Sequence, residues 1–413
     1  MKRRDFLAGS CWCLLSGAAK GFSFGMDTGT GLRNPCRAPL PDALLNHDIT
    51  QAAFSGLNAA DVWDCHAHLL GNGDSGSGCW LSPKLHSMLY PKQFVQRKFF
   101  LNAACVDEKA GRIDVDYVSR LAALMNEFPS GYRAMLFAFD EAHTATGVAT
   151  RENTAFHVPN RYAAQVAGQQ QDRFGWVASI HPYRNDAVAA LAEAAREGAC
   201  AIKWLPSAMG IDPASPRCDP FYAALAKHGL PLISHAGHER AVAGASQQQF
   251  GNPLRLRRAL EHGVRVVIAH CASMGKDLDE RGRNVESYTL FEQLMADPRY
   301  AGRLFGDISA LPQTNRAAYL ERILAHPEWQ ERLLNGSDYP LPGVIPLFSV
   351  DGLVARGWLL KDVGEHAKQI REYNPLMFEF IVKRHLRIDG HRFPNRVFET
   401  ARVFRRPVSS TST

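Results

Sequence analysis

Residues 61–68 read D-V-W-D-C-H-A-H, a short run that ends in two histidines separated by one residue. Side chains on a strand repeat every two residues, so a strand here would put His66 and His68 on one face at its C-terminal end. Taken alone the pair says little, because sixteen histidines in 413 residues give about 0.6 such pairs by chance. Its meaning depends on what other strand ends bring to the same place.

Short runs rich in Val, Ile, Leu and Phe recur along the chain, each separated from the next by a stretch with helical spacing, which is the pattern of a parallel sheet. They fall at 61–65, 132–139, 176–180, 200–204, 231–234, 264–269, 304–308 and 333–335. Eight such units predict a closed (β/α)₈ TIM barrel of the α/β class rather than an open sheet. Between them, 186–197 is Ala-rich and closes on Gly198, while 219–227 starts at an acidic cap and ends before Gly229. Runs at 254–262 and 285–296 repeat the theme. The first interval is longer and predicts a helical insertion between strands 1 and 2, near 91–106 and 114–128, read as a lid or wall over the pocket. A Gly/Ser-rich stretch, 71–78, precedes it, and closing helices are expected over 350–386.

In a barrel all strand C-termini meet on one face, where active sites form. His235 closes P-L-I-S-H, His270 closes V-V-I-A-H and Asp338 follows L-L-N-G-S, each at such an end. Four imidazoles and a carboxylate converging there form a nitrogen and oxygen set suited to Zn²⁺ or a similar divalent ion, one or two per chain. Lys203, in C-A-I-K-W, ends the fourth run. Buried as a bare ammonium between Ile202 and Trp204 it would be costly, so it reaches solvent, pairs with an acid such as Asp307 or Glu239, or is chemically modified. Softer candidates for orienting a ligand or touching substrate are Asp140, His181, Glu239 and Asp307, each read at least as readily as an ordinary capping or loop hydrogen bond; Trp63, Trp80, Trp204 and Tyr339 offer an aromatic lining, with core packing the stronger reading for Trp63. Arg255, Arg257 and Arg258 read as a solvated helix face.

The series D-C-H-A-H, A-I-K-W, I-S-H-A-G, I-A-H-C and N-G-S-D-Y-P, in that order, resembles the amidohydrolase superfamily, and within it the amidohydrolase-related branch. The resemblance implies a metal-dependent hydrolase acting on an amide, lactone or ester bond of a small molecule through an activated water. It implies that His66, His68 and Asp338 hold one metal, and that His235 and His270 hold a second where there is one. Lys203 would bridge the two as a carboxylated lysine, and Asp338 would move the proton of the attacking water. In one-metal members His235 serves the single ion and His270 is left for proton transfer. The alternatives are therefore a single-metal decarboxylase or hydratase and, from another class, a non-catalytic metal or ligand-binding barrel.

The opening M-K-R-R-D-F-L, followed by a short apolar run and small residues, resembles a twin-arginine export signal over residues 1–25. It implies the twin-arginine machinery as a partner and a periplasmic location for a barrel domain at 26–405, with a frayed tail at 406–413. The signal is too short and too broken by Gly and Ser to span a bilayer, so no stable membrane insertion is expected of the mature chain. The net charge of +6 is small for this length and leaves no basic patch for nucleic acid. A homo-oligomer is compatible with the composition. Seven of the nine cysteines lie beyond the signal and form no CxxC pair, which indicates neither a zinc knuckle nor a disulfide framework and leaves room for a single bridge.

Overall fold

Every apolar run becomes a strand in the computed structural model, which describes residues 34–242 and 245–405. The strands are β1 (Trp63–His68), β2 (Arg133–Phe137), β3 (Phe174–Val177), β4 (Ile202–Trp204), β5 (Leu232–His235), β6 (Val266–Ala269), β7 (Leu304–Asp307) and β8 (Leu333–Leu334). β1, β2 and β3 pair in parallel, as do β4 through β8 in order. Parallel bridges Ala178 to Ile202 and Ala67 to Tyr339 join the two sheets and close the TIM barrel. The expected export signal and tail lie outside the described residues.

Alternation decides what faces inward. On β4, Ile202 and Trp204 pack outward against the helices while Lys203 between them points into the barrel, over the ring of Phe137. The inner floor is a separate apolar cluster that includes Trp63, Cys65, Met135, Phe137, Val177, Ile233, Val267 and Leu334. Ala401, Val403 and Phe404 complete that cluster from the short helix Ala401–Phe404, which plugs the end of the barrel opposite the active face. The helices Val350–Ala355, Lys361–Arg371 and Pro375–His385 occupy the expected closing stretch.

β1 runs farther than its apolar residues indicate, through both histidines, and a bulge between Asp64 and Ala67 shifts its register against β2. A strict period of two would have sent His66 outward from Cys65. The bulge lets Cys65 fill the floor and still turns His66 and His68 into the mouth. Asp64 Oδ1 clips it in place, accepting from the backbone N–H groups of His66 at 3.0 Å and Ser337 at 2.8 Å. Gly336 lies so close that a Cβ there would stand 2.6 Å from the Cβ of His66, so this position has room only for glycine.

Between β1 and β2 the chain forms helices Pro91–Ala103 and Ile113–Asn126. A disulfide joins Cys36 to Cys105, tying the first described residues to the end of the former helix. The Gly/Ser stretch is cinched around the fully buried Asp114. Its Oδ1 accepts from Asn72 N at 2.7 Å and Gly73 N at 3.1 Å, and its Oδ2 from Ser75 Oγ at 2.8 Å and Ser77 Oγ at 2.6 Å. Burial pushes this carboxyl up, but those donors together hold it below the ordinary aspartate value. Asp114→Ala strands all of them, with an expected cost of about 3 kcal/mol. Urea unfolding checks this, and an unchanged midpoint would show that the loop does not depend on the carboxylate.

Candidate metal centre

The ends of β1, β4, β5, β6 and the loop after β8 bring together all six residues singled out in the sequence. Asp338 Oδ1 lies 3.2 Å from His68 Nε2 and 3.6 Å from His66 Nε2. Donor atoms about 2.1 Å from a tetrahedral ion stand about 3.4 Å apart, so both contacts match the edges of such a site. The ring of His270 stacks on His66 with centroids 4.8 Å apart, and the ring of His235 meets His270 edge-on at 5.4 Å. His235 Nε2 is buried without a hydrogen-bond partner among the described residues, 3.4 Å from Glu239 Oε2. An orphaned imidazole nitrogen beside a carboxylate is a donor set a cation satisfies.

Asp307, fully buried on β7, organises the set from beneath. Its Oδ2 lies 2.9 Å from His66 Nδ1, and its Oδ1 accepts from His270 N at 2.9 Å and Ser309 N at 3.1 Å. Ser309 Oγ bonds the same oxygen. A carboxylate on Nδ1 fixes the tautomer that leaves Nε2, the nitrogen facing Asp338, unprotonated. His66, His270 and Asp307 are also close enough to share an ion, but the donors already on Asp307 make it a support for the rings rather than a ligand. His270 Nδ1 lies 3.1 Å from the carbonyl of Ser309, which can only accept, so its Nε2 carries the free lone pair.

The backbone is strained where it turns these groups inward. His270, Cys271 and Ala272 have φ of 53°, 49° and 51°, and Asp338 has φ of 60°, a left-handed region that costs non-glycine residues about 1–2 kcal/mol each. Asp338 N bonds the His66 carbonyl at 2.7 Å, which locks the carboxylate over the histidine pair. Burial drives His66, His235 and His270 well below the usual histidine pKa, and nearby positive charges (Lys203 for the first two, Arg316 for His270) push in the same direction, so all three are neutral and free to coordinate.

Lys203 makes no ion pair with an acid among the described residues; its Nζ stands 3.3 Å from His66 Nε2. Burial lowers its pKa to about 8 against the opposing pull of Asp307, Asp338 and Glu239. Glu239 accepts from Val242 N at 2.9 Å, and burial raises its pKa. Two participants escaped the sequence reading. Ser309 carries no motif, and Arg316 lies in T-N-R-A-A, which reads as an ordinary loop.

The softer candidates divide between the mouth and ordinary structural roles. Trp204 is fully buried on the outer face of β4, donating to the Ile180 carbonyl at 2.9 Å, and Tyr339 packs on Tyr117; neither lines the mouth. Trp63 belongs to the floor cluster, in keeping with core packing as the stronger reading for it. His181 and Asp140 bond each other's surroundings instead of the centre: Asp140 Oδ2 accepts from His181 N at 2.8 Å and Arg184 Nη1 at 3.0 Å, and His181 Nε2 meets the Met209 carbonyl. Arg255, Arg257 and Arg258 pair with Asp212, Glu280 and Asp219.

Asp307→Asn keeps the shape but replaces the acceptor facing His66 Nδ1 by a weaker or wrongly polarised one. The expected result is a metal affinity lower by about 10- to 100-fold, measured by competition with a chelator. An unaltered affinity would remove Asp307 from the account.

The amidohydrolase family model matches residues 63–355, well over half of the chain. No curated protein matches it significantly. Among solved structures it is similar to a TIM-barrel protein from Bordetella bronchiseptica, at 16% identity and TM-score 0.44, over 68% of this chain and 86% of that one. It is also similar to a 5-carboxyvanillate decarboxylase from Sphingomonas paucimobilis, at 13% identity and TM-score 0.46, over 83% and 98% of the two chains. A third is described as a probable 2-pyrone-4,6-dicarboxylic acid hydrolase from Acinetobacter baumannii, at 14% identity and TM-score 0.42, over 82% and 99%. With its motifs in family order across the matched stretch, the chain belongs to the amidohydrolase family.

Proposed function

We propose that this protein is a metal-dependent hydrolase that cleaves an amide, lactone or ester bond of a small molecule. The observation that carries the reading is the convergence of His66 Nε2, His68 Nε2 and Asp338 Oδ1 at ligand spacing, with the buried amine of Lys203 directly beside them. A bound divalent ion, Zn²⁺ by the chemistry of this donor set, supplies Lewis-acid polarisation of a carbonyl and acidifies a water in its shell.

The chain's own groups then divide the work. His66, His68 and Asp338 would hold the ion, with Asp307 setting the His66 ring. Asp338, fixed above them by its bond to the His66 carbonyl, accepts the proton of the attacking water and returns it to the leaving group. His235 and His270 would hold a second ion where there is one, and Lys203, once carboxylated, would supply oxygen ligands between the two sites. Burial lowers the Lys203 pKa to about 8, so its neutral amine would be available to add to carbon dioxide, giving a carbamate and a proton, and bound cations would offset the cost of burying the anionic product. The second reading, a single-metal decarboxylase or hydratase, is supported by the His270 tautomer, whose Nε2 lone pair suits proton transfer.

Elemental analysis of the purified protein separates the two. The hydrolase reading expects two ions per chain, falling to one or none in Lys203→Ala. Asp338→Asn is expected to lower turnover on an ester and lactone panel by at least about 10²-fold while keeping most of the metal. One ion, unchanged by Lys203→Ala, would overturn the bridged centre in favour of the lyase.

A further inference from the structure

Arg316 is 7% exposed, on the turn that follows β7. Its one side-chain hydrogen bond among the described residues runs from Nη1 to Ser273 Oγ at 2.9 Å. Its Nε is buried without a partner, and no carboxylate among the described residues forms an ion pair with it. Ser273 directly follows the left-handed turn of His270–Ala272, its N–H bonded to the His270 carbonyl, so the guanidinium is tethered to the wall of the proposed metal centre. The charges it interacts with are those of the mouth: Asp338, Glu239 and Asp307 attract it, while it depresses the basicity of His270 and His235.

A guanidinium taken out of water needs a paired anion and hydrogen-bond acceptors for its fork of donors. Here the acids are near enough to be felt but not in contact, and each is already engaged: Asp307 by His66, His270 and Ser309, Glu239 by the backbone, and Asp338 by the histidine pair. Metal loading would draw Asp338 further from Arg316 electrostatically and leave the cation less compensated. What the site lacks is therefore a mobile, planar, singly charged acceptor. A carboxylate meets that description, because it matches the guanidinium fork in shape and charge. A phosphate dianion would be repelled by three neighbouring carboxylates.

We propose that Arg316, braced by Ser273, is the specificity residue of this site and receives a carboxylate carried by the small-molecule substrate. The inference rests on the reading of the barrel mouth as the reaction site.

The test is calorimetric titration of the metal-loaded protein with benzoate, its neutral isostere benzamide, and inorganic phosphate, with metal content measured on the same samples. Benzoate is expected to bind at least about tenfold more tightly than benzamide, and phosphate more weakly than benzoate. Arg316→Met is expected to bring benzoate and benzamide within about twofold of each other, and Arg316→Lys to keep part of the difference. Ser273→Ala, which frees Nη1 but keeps the charge, is expected to weaken benzoate alone, and it serves if Arg316→Met does not fold. Equal binding of benzoate and benzamide by the wild type would overturn the proposal, as would a preference that survives in Arg316→Met, since the ion would then be selecting the anion. Tighter binding of phosphate would overturn the assignment to a carboxylate. Failure of the metal reading shows separately, as wild-type protein that takes up no ion.

Discussion

The contact on which the site depends is the one between Asp307 and His66. A carboxylate with no exposure to solvent lies 2.9 Å from an imidazole that is itself 1% exposed, and the same carboxylate gathers the backbone of His270 and the hydroxyl of Ser309. Three loops of the mouth are thereby referred to one pair of oxygens. The consequence is chemical as well as mechanical: with Nδ1 facing the carboxylate, the His66 lone pair is directed at Asp338 and Lys203.

Around that contact the barrel departs from ideal geometry where chemistry needs it. The β1 bulge turns two histidines into the mouth without emptying the floor, Gly336 makes room for the bulge, and four residues at the ends of β6 and β8 accept left-handed conformations. Regular strands and helices repay this strain through burial. The loop Asn335–Gly336 is further held by Lys383, whose Nζ donates to the Gly336 carbonyl at 2.7 Å and pairs with Glu379 at 2.9 Å. Glu379 is buried, and that burial raises its carboxyl to about 8.

The barrel was legible because its strands are buried on both faces and so read as apolar runs, and because ligands at strand ends occur in a fixed order. His66, His68, Lys203, His235, His270 and Asp338 all followed from that order as residues of one face. What was not legible depends on contacts between residues distant in the chain. Asp307 looked like one acid among several, Ser309 and Arg316 like loop residues, and the Cys36–Cys105 bridge joins positions 69 residues apart with no spacing rule to announce it. Trp204 misled for the opposite reason: a residue adjacent to an inward-facing lysine must face outward, a consequence of the strand period that outweighs the attraction of an aromatic near the site.

The chemistry proposed for the barrel mouth turns on a metal held by His66. Anomalous diffraction from crystals of the protein grown with Zn²⁺ tests it most directly. The expected result is an anomalous peak about 2.1 Å from His66 Nε2, His68 Nε2 and Asp338 Oδ1, with Asp307 still on His66 Nδ1. A mouth without a peak, or an ion held by Asp307 in place of Asp338, would contradict it.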